Sequence, residues 1–381
     1  MSAVLPDPSR NQGIDLLRGF SILMVLIHHF ALPFRLPLRH SLLGEQLPKR
    51  LVDAISFNGY ESVFVFFVLS GFLITRRVLA RHGELGQIDW RRFYRQRAGR
   101  IMPLLLLLLA VLSVLHGLGL RDYVVAENGQ TLGRALLSAL GLHLNWYEGQ
   151  TGWLPGAWDV LWSLSIEEVF YLGFPLLCLL LPRVALIAGL LVLAFSLPWT
   201  HAALDGNEIW QEKAYLPGMS AIAFGVLAAL LAQRWQASRT MARMLALLGA
   251  IALFNVYYFG DLLWAVVHDA SMLVLCLSAC LLVLSAHWLQ AAAPRGLAWL
   301  ASMGRLSYEL YLSHMFIVLT ATSLYASYLG KDMRWTCFVY PPAILLCFAL
   351  AKLLEKWVSG PAARWLDQAW LPARALAPAR S

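Results

Sequence analysis

The feature that most limits what this chain can fold into is a run at residues 13–30, GIDLLRGFSILMVLIHHF, matched in kind by many others along the length. A helix of that size is roughly 27 Å long, close to the thickness of a bilayer's hydrocarbon core. The spanning segments are read at 14–34, 57–79, 101–119, 162–181, 183–200, 214–232, 241–259, 262–286, 304–325 and 336–356. Such runs, in a chain 59% hydrophobic and only 14% charged, exclude an ordinary soluble domain. They predict an all-α, polytopic membrane bundle of about ten transmembrane helices. The alternating pattern that a membrane barrel requires is absent.

Charge orients the bundle. Arg76, Arg77, Arg81, Arg91, Arg92, Arg95, Arg97 and Arg100 crowd between the second and third segments, which marks a cytoplasmic loop. Ten spans then place both termini in the cytoplasm, with a membrane domain over residues 1–365 and a tail at 366–381. The net charge of +8 is mostly arginine between apolar runs, a pattern of membrane topology and not of nucleic-acid binding. The basic stretch 35–50, with Arg35, Arg39, Lys49 and Arg50, falls on the other side. Either it meets an anionic ligand there, or the first two spans are misplaced. A run at 135–147 is too short to span and reads as re-entrant or interfacial. The five cysteines lie in or beside apolar runs and read as small buried side chains, not metal ligands. The N-terminus lacks the basic region of a signal peptide, so the first helix is expected to be retained.

Ionisable groups inside such helices are functional suspects. Arg18 and His29 are eleven residues apart, about three turns, and share one face roughly 16 Å apart. His28 points about 100° away. Arg76 and Arg77 close the second segment, where topology alone explains them. Arg97 and Arg100, at the start of the third segment, oppose the helix dipole and suit phosphate binding by guanidinium forks. The fourth segment opens WSLSIEEVFYL, where Glu167 shares a face with Ser163 and would pair with a cation or orient a histidine. Glu168 points elsewhere and is expected at the interface. Ser307, Tyr311 and His314 form a polar stripe on the ninth segment, as in a lined cavity.

Five motifs occur in order across nearly the whole chain. They are Asp15-Leu16-Leu17-Arg18-Gly19 with His29 beyond it, FFVLSGFLI at 66–74, and Arg97-x-x-Arg100-Ile101-x-Pro103. Then come Trp162-Ser163-Leu164-Ser165-x-Glu167-x-x-Phe170-Tyr171 and Ser307-Tyr308-x-x-Tyr311-Leu312-x-His314. Together they resemble the acyltransferase-3 family of integral membrane O-acyltransferases. The resemblance implies a ten-helix bundle in a bacterial inner membrane. It also implies that acyl-CoA is used to acylate carbohydrate hydroxyls, as in O-antigens, exopolysaccharides, glucans, Nod factors or macrolides.

The family's functional arginine and histidine map to Arg18 and His29. His29 is then expected as general base, Glu167 as its acidic partner, and Arg18, Arg76, Arg77, Arg97 and Arg100 as holders of the CoA phosphates. Ser307, Tyr311 and His314 would line the substrate path. Acetyl is the default acyl group, the acceptor a carbohydrate or lipid-linked glycan, and no metal or tightly bound cofactor is expected. Some members carry an extra helix and a soluble SGNH esterase-like domain after the bundle; this sequence stops, so it is expected to complete transfer alone or pass the acyl group to a partner. Two rivals are a transporter, which would show two related halves of broken helices, and a non-catalytic partner in polysaccharide assembly. No such internal symmetry is visible in the sequence.

Overall fold

The computed structural model of the chain describes residues 11–330 and 332–368. Helices follow all ten apolar runs: α1 (Gln12–Ala31), α2 (Gly59–His82), α3 (Trp90–Gly117), α4 (Gly156–Leu180), α5 (Arg183–Phe195), α6 (Glu208–Arg234), α7 (Arg239–Tyr258), α8 (Gly260–Leu289), α9 (Ser307–Leu329) and α10 (Tyr340–Leu354). Among the described residues, eight of these are long and apolar enough to cross a bilayer, and no strand occurs. The other two are short for a span but do not stop abruptly. A single turn separates α5 from Leu197–Ala202, and α10 runs through a π turn at Glu355–Ser359 into Gly360–Gln368. This is the expected all-α polytopic bundle. Of the expected tail at 366–381, residues 369–381 lie outside the described residues.

Between lipid-exposed helices no hydrophobic force drives contact, so close packing over small residues takes its place. Two reciprocal glycine pairs do this here. A methyl group on Gly71 of α2 would sit 2.1 Å from the carbonyl oxygen of Ile222, and one on Gly225 of α6 would sit 2.0 Å from that of Val68. Likewise a methyl group on Gly19 of α1 would sit 2.0 Å from the Leu300 carbonyl oxygen, and one on Gly304 would sit 1.9 Å from that of Asp15. Backbone thus lies on backbone, and the second pair presses the helix Ala298–Arg305 against the Arg18 end of α1.

Three expectations change. The third helix begins at Trp90, not 101: Asp89 caps it, its carboxylate accepting from the Arg92 amide at 3.1 Å. The dense arginines read as loop, yet no proline falls between 90 and 100 and the helix runs through Gly99, so Arg97 and Arg100 ride on α3 beyond its first turn. The run at 135–147 is not one element but parts of two, Leu132–Leu140 and Leu144–Thr151, with Leu142 at φ 59° between them. The second is fastened by a fully buried Lys213, which pairs with Glu148 at 3.0 Å and with Asp159, and lies 4.0 Å over the ring of Trp153. Burial and the nearby Asp159 push the Glu148 carboxyl up, against the pull of Lys213.

The basic stretch 35–50 is largely matched from within. Arg39 pairs with Asp53, and Arg50 comes within 3.8 Å of Asp261. Arg35 turns inward and donates to the His29 carbonyl at 2.7 Å. Burial lowers its pKa to about 10, with Asp159 and Asp122 opposing, so it stays a cation. The first two spans stand where their apolar runs put them.

Candidate active site

α1 and α9 lie side by side and run the same way. The Arg18 guanidinium donates to Ser307 Oγ at 2.7 Å, and further along both helices the His29 ring meets His314. The face expected on α1 is therefore matched by the stripe expected on α9, at both ends.

The Arg18 end opens into a cavity of about 470 Å³. Arg18, Arg76, Arg77, Arg97 and Arg100 line it, with Glu167, Ser163, Ser307 and Tyr311. Five different helices, α1, α2, α3, α4 and α9, supply these side chains, so only the fold brings them together. The carboxylates in the wall are Asp15, Glu167 and Glu168, which leaves the lining cationic. Arg97 is the hub: its guanidinium bonds Glu168 at 2.9 Å and Glu167 at 3.2 Å and stacks 3.9 Å over the Tyr171 ring. Ser70 donates to Glu167 and touches the Tyr171 hydroxyl. Arg100 lies 5.9 Å over the Tyr308 ring, and Arg76 contacts the His287 ring. Neither Arg77 nor Arg100 makes an ion pair among the described residues. Two guanidinium groups thus face the cavity without a carboxylate, a strong attraction for a phosphorylated ligand.

Inward, Ser163 Oγ donates to the Tyr311 hydroxyl at 2.7 Å. On α9 the cavity lining stops at Tyr311 and Leu312. One turn beyond, His314 is wholly buried and its Nε2 lies 3.3 Å from His29 Nδ1. The His28 ring packs edge-on to His29 at 5.4 Å between centroids, and its Nδ1 faces the Ser56 carbonyl at 3.2 Å. His29, like His28, retains partial exposure, whereas His314 has none.

Two readings are corrected. Glu167 makes no hydrogen bond or ion pair with His29; its partners are Arg97 and Ser70. Glu168, expected at the interface, is only 9% exposed and shares Arg97. A helix angle of 100° separates two neighbours on a lone helix, but a wide cavity with one guanidinium between them gathers both. Sequence reasoning also passed over Ser70, Tyr171 and Tyr308, though all three sit in motifs it quoted. His287 carries no such signal: a single histidine near a helix end is found only through its contact with Arg76.

Comparison with known proteins covers nearly the whole chain. The profile of a family described as an acyltransferase domain, Acyl_transf_3, matches residues 11–352. A Bacillus subtilis (strain 168) protein named "Putative peptidoglycan O-acetyltransferase YrhL" is 25% identical over 92% of this chain and 54% of its own length. A "Putative O-acetyltransferase" of Staphylococcus aureus (strain COL) is 23% identical over 92% of this chain and 56% of its own. "O-acetyltransferase OatA" of Staphylococcus aureus (strain NCTC 8325 / PS 47) is 27% identical over 45% of this chain and 25% of its own. The chain spans about half the length of the first two relatives. No solved structure matches it.

Proposed function

The chain belongs to the acyltransferase-3 family, and we propose that it is an integral membrane O-acetyltransferase that takes an acetyl group from acetyl-CoA to a glycan hydroxyl. The observation that carries this reading is the arrangement of the cationic cavity. Five arginines line a space whose inner wall is Ser163 and Tyr311, with a histidine pair one turn further in. The phosphates of CoA suit the outer part, and its extended pantetheine arm suits the roughly 16 Å from Arg18 to His29. The arginine end then faces the cytoplasm, where CoA is found, and the protein resides in the bacterial plasma membrane with both termini inside.

His29 Nε2 acts as general base. It takes the proton of the acceptor hydroxyl as the oxygen attacks the thioester carbonyl; the C–S bond breaks, and the proton passes to the leaving thiolate. The products are the acetyl ester and free CoA. Arg18, tied to Ser307, and Arg77 and Arg100 hold the anionic end. Glu167 and Glu168 hold Arg97 in place. One relative's name, which specifies peptidoglycan, supports a glycan acceptor; O-antigen and other surface polysaccharides are the remaining candidates.

The test uses the full chain in proteoliposomes with acetyl-CoA, reading free thiol and acetyl ester on peptidoglycan or lipopolysaccharide oligosaccharides. Wild type is expected to turn over, and His29→Ala to lose 100-fold or more, since general base catalysis contributes about 10²–10⁴. Wild-type turnover by His29→Ala removes His29 from the mechanism. Sugar flux without any thioester cleavage would make the protein a transporter.

A further inference from the structure

We propose that His314 is the positioning residue of the site: it accepts a hydrogen bond from His29 and so fixes which nitrogen of His29 faces the substrate. This rests on the reading of His29 as base and assigns His314 a task other than lining the substrate path.

The tautomers follow from the acceptors around each ring. His314 Nδ1 faces two backbone carbonyls, Tyr311 at 2.8 Å and Leu310 at 3.1 Å. A carbonyl oxygen only accepts, so Nδ1 of His314 carries the proton and, in the neutral ring, Nε2 is a bare acceptor. His29 Nδ1 faces the Val25 carbonyl at 2.8 Å and therefore also carries a proton. That same N–H points to the bare Nε2 of His314 at 3.3 Å, making a three-centre bond. One arrangement satisfies every contact, and in it the lone pair of His29 is on Nε2. The two carbonyls on α9 leave His314 Nε2 as an acceptor, which reinforces from a second helix the state that the Val25 carbonyl sets on α1.

The geometry also fixes the ring. Bonding to Val25 alone is a local contact one helical turn back, and it travels with α1. The contact with His314 ties the imidazole to a second helix, with ring centroids 4.8 Å apart and planes at 65°. When His29 takes a proton at Nε2, its Nδ1–H becomes a stronger donor, and the bond to His314 becomes charge-assisted. His314 therefore supports the charged form that appears only during transfer, and its effect belongs in kcat. Burial keeps water from replacing it, because His314 exposes no surface. A ring left to rotate presents N–H toward the acceptor in part of its population, and that part is inactive.

Two substitutions separate positioning from packing. His314→Leu keeps the volume and removes the acceptor. His314→Gln restores an acceptor oxygen near the place of Nε2. With acetyl-CoA and the proteoliposome assay, His314→Leu is expected to lower kcat about 10- to 100-fold, part of the general base contribution. KM for acetyl-CoA should stay within about twofold of wild type and His314→Gln should keep most of kcat, the pattern of a group that acts only in the transition state. Solid-state ¹⁵N NMR of histidine-labelled protein in liposomes reads the tautomer directly and needs no turnover. Wild type should show His29 protonated at Nδ1, retained in His314→Gln and mixed in His314→Leu.

Wild-type kcat in His314→Leu, or a His29 tautomer identical in all three proteins, overturns the positioning role while leaving His29 as base. Equal loss in the leucine and glutamine variants with an unchanged tautomer makes His314 a packing residue. Activity retained in His29→Ala overturns the base assignment instead, whatever His314 does.

Discussion

The two ends of the polar path between α1 and α9 are built on opposite principles. At the Arg18 end, charge is plentiful and shared: Arg97 alone holds two carboxylates and an aromatic ring, and Arg77 and Arg100 have charge to spare for a ligand. At the His29 end, bonds are few and every partner has a settled polarity. The first end is suited to binding, where many weak contacts add and no single one is decisive. The second is suited to proton transfer, where one atom must point one way. The difference separates the expected defects: variants at the mouth should act on binding and stability, and variants at the inner end on turnover.

The largest effect at the mouth should come from Arg97. Replacing it with methionine leaves Glu167 and Glu168 in a mostly enclosed wall with no cation between them. Breaking a buried pair from one side costs about 3–5 kcal/mol, so thermal unfolding of the detergent-solubilised protein should shift down by many degrees. Adding Glu168→Gln should recover a large part of the loss. An Arg97→Met protein as stable as wild type would show that the mouth does not depend on this hub.

Arg77→Ala and Arg100→Ala should do less. Each removes a cation but strands no carboxylate, so KM for acetyl-CoA should rise about tenfold, the value of one charge-assisted contact, while kcat holds. Salt sharpens the contrast. At 1 M ionic strength the screening length falls to about 3 Å, which should shrink the difference between these variants and wild type. The kcat defect of His29→Ala should not change with salt. Equal salt sensitivity at both ends would mean that the histidines, too, act on ligand charge.

Much of this division was legible in the residues. Apolar runs located the helices, because length and hydropathy are local properties. The shared face of Arg18 and His29, and the stripe of Ser307, Tyr311 and His314, came from helical period alone. What period cannot give is partnership between helices. Glu167 was matched to His29 and not to Arg97, whose helix was started eleven residues too late, so that Arg97 read as loop. That error has a physical cause: a run of arginines looks like loop when nothing reveals the polar cavity it faces. Arg35 was noticed only as an anomaly of topology. Its inward turn toward the His29 carbonyl depends on the chain reversing after α1, which no spacing encodes.

Tyr311 marks the border between the two ends, and its variant should have the smallest effect. Its hydroxyl accepts from Ser163 at 2.7 Å, and it is the last member of the stripe to line the cavity before His314. Tyr311→Phe keeps the ring and leaves the Ser163 hydroxyl without that acceptor, a loss of about 1 kcal/mol. If Tyr311 belongs with the histidines, kcat should fall about fivefold and KM for acetyl-CoA should hold. Because the loss belongs to the pair, Ser163→Ala added to Tyr311→Phe should cost little more than either change alone. If KM rises instead and kcat does not move, the binding region extends one helical turn further toward His29 than the arginines indicate, and the proton-transfer end is confined to His29 and His314.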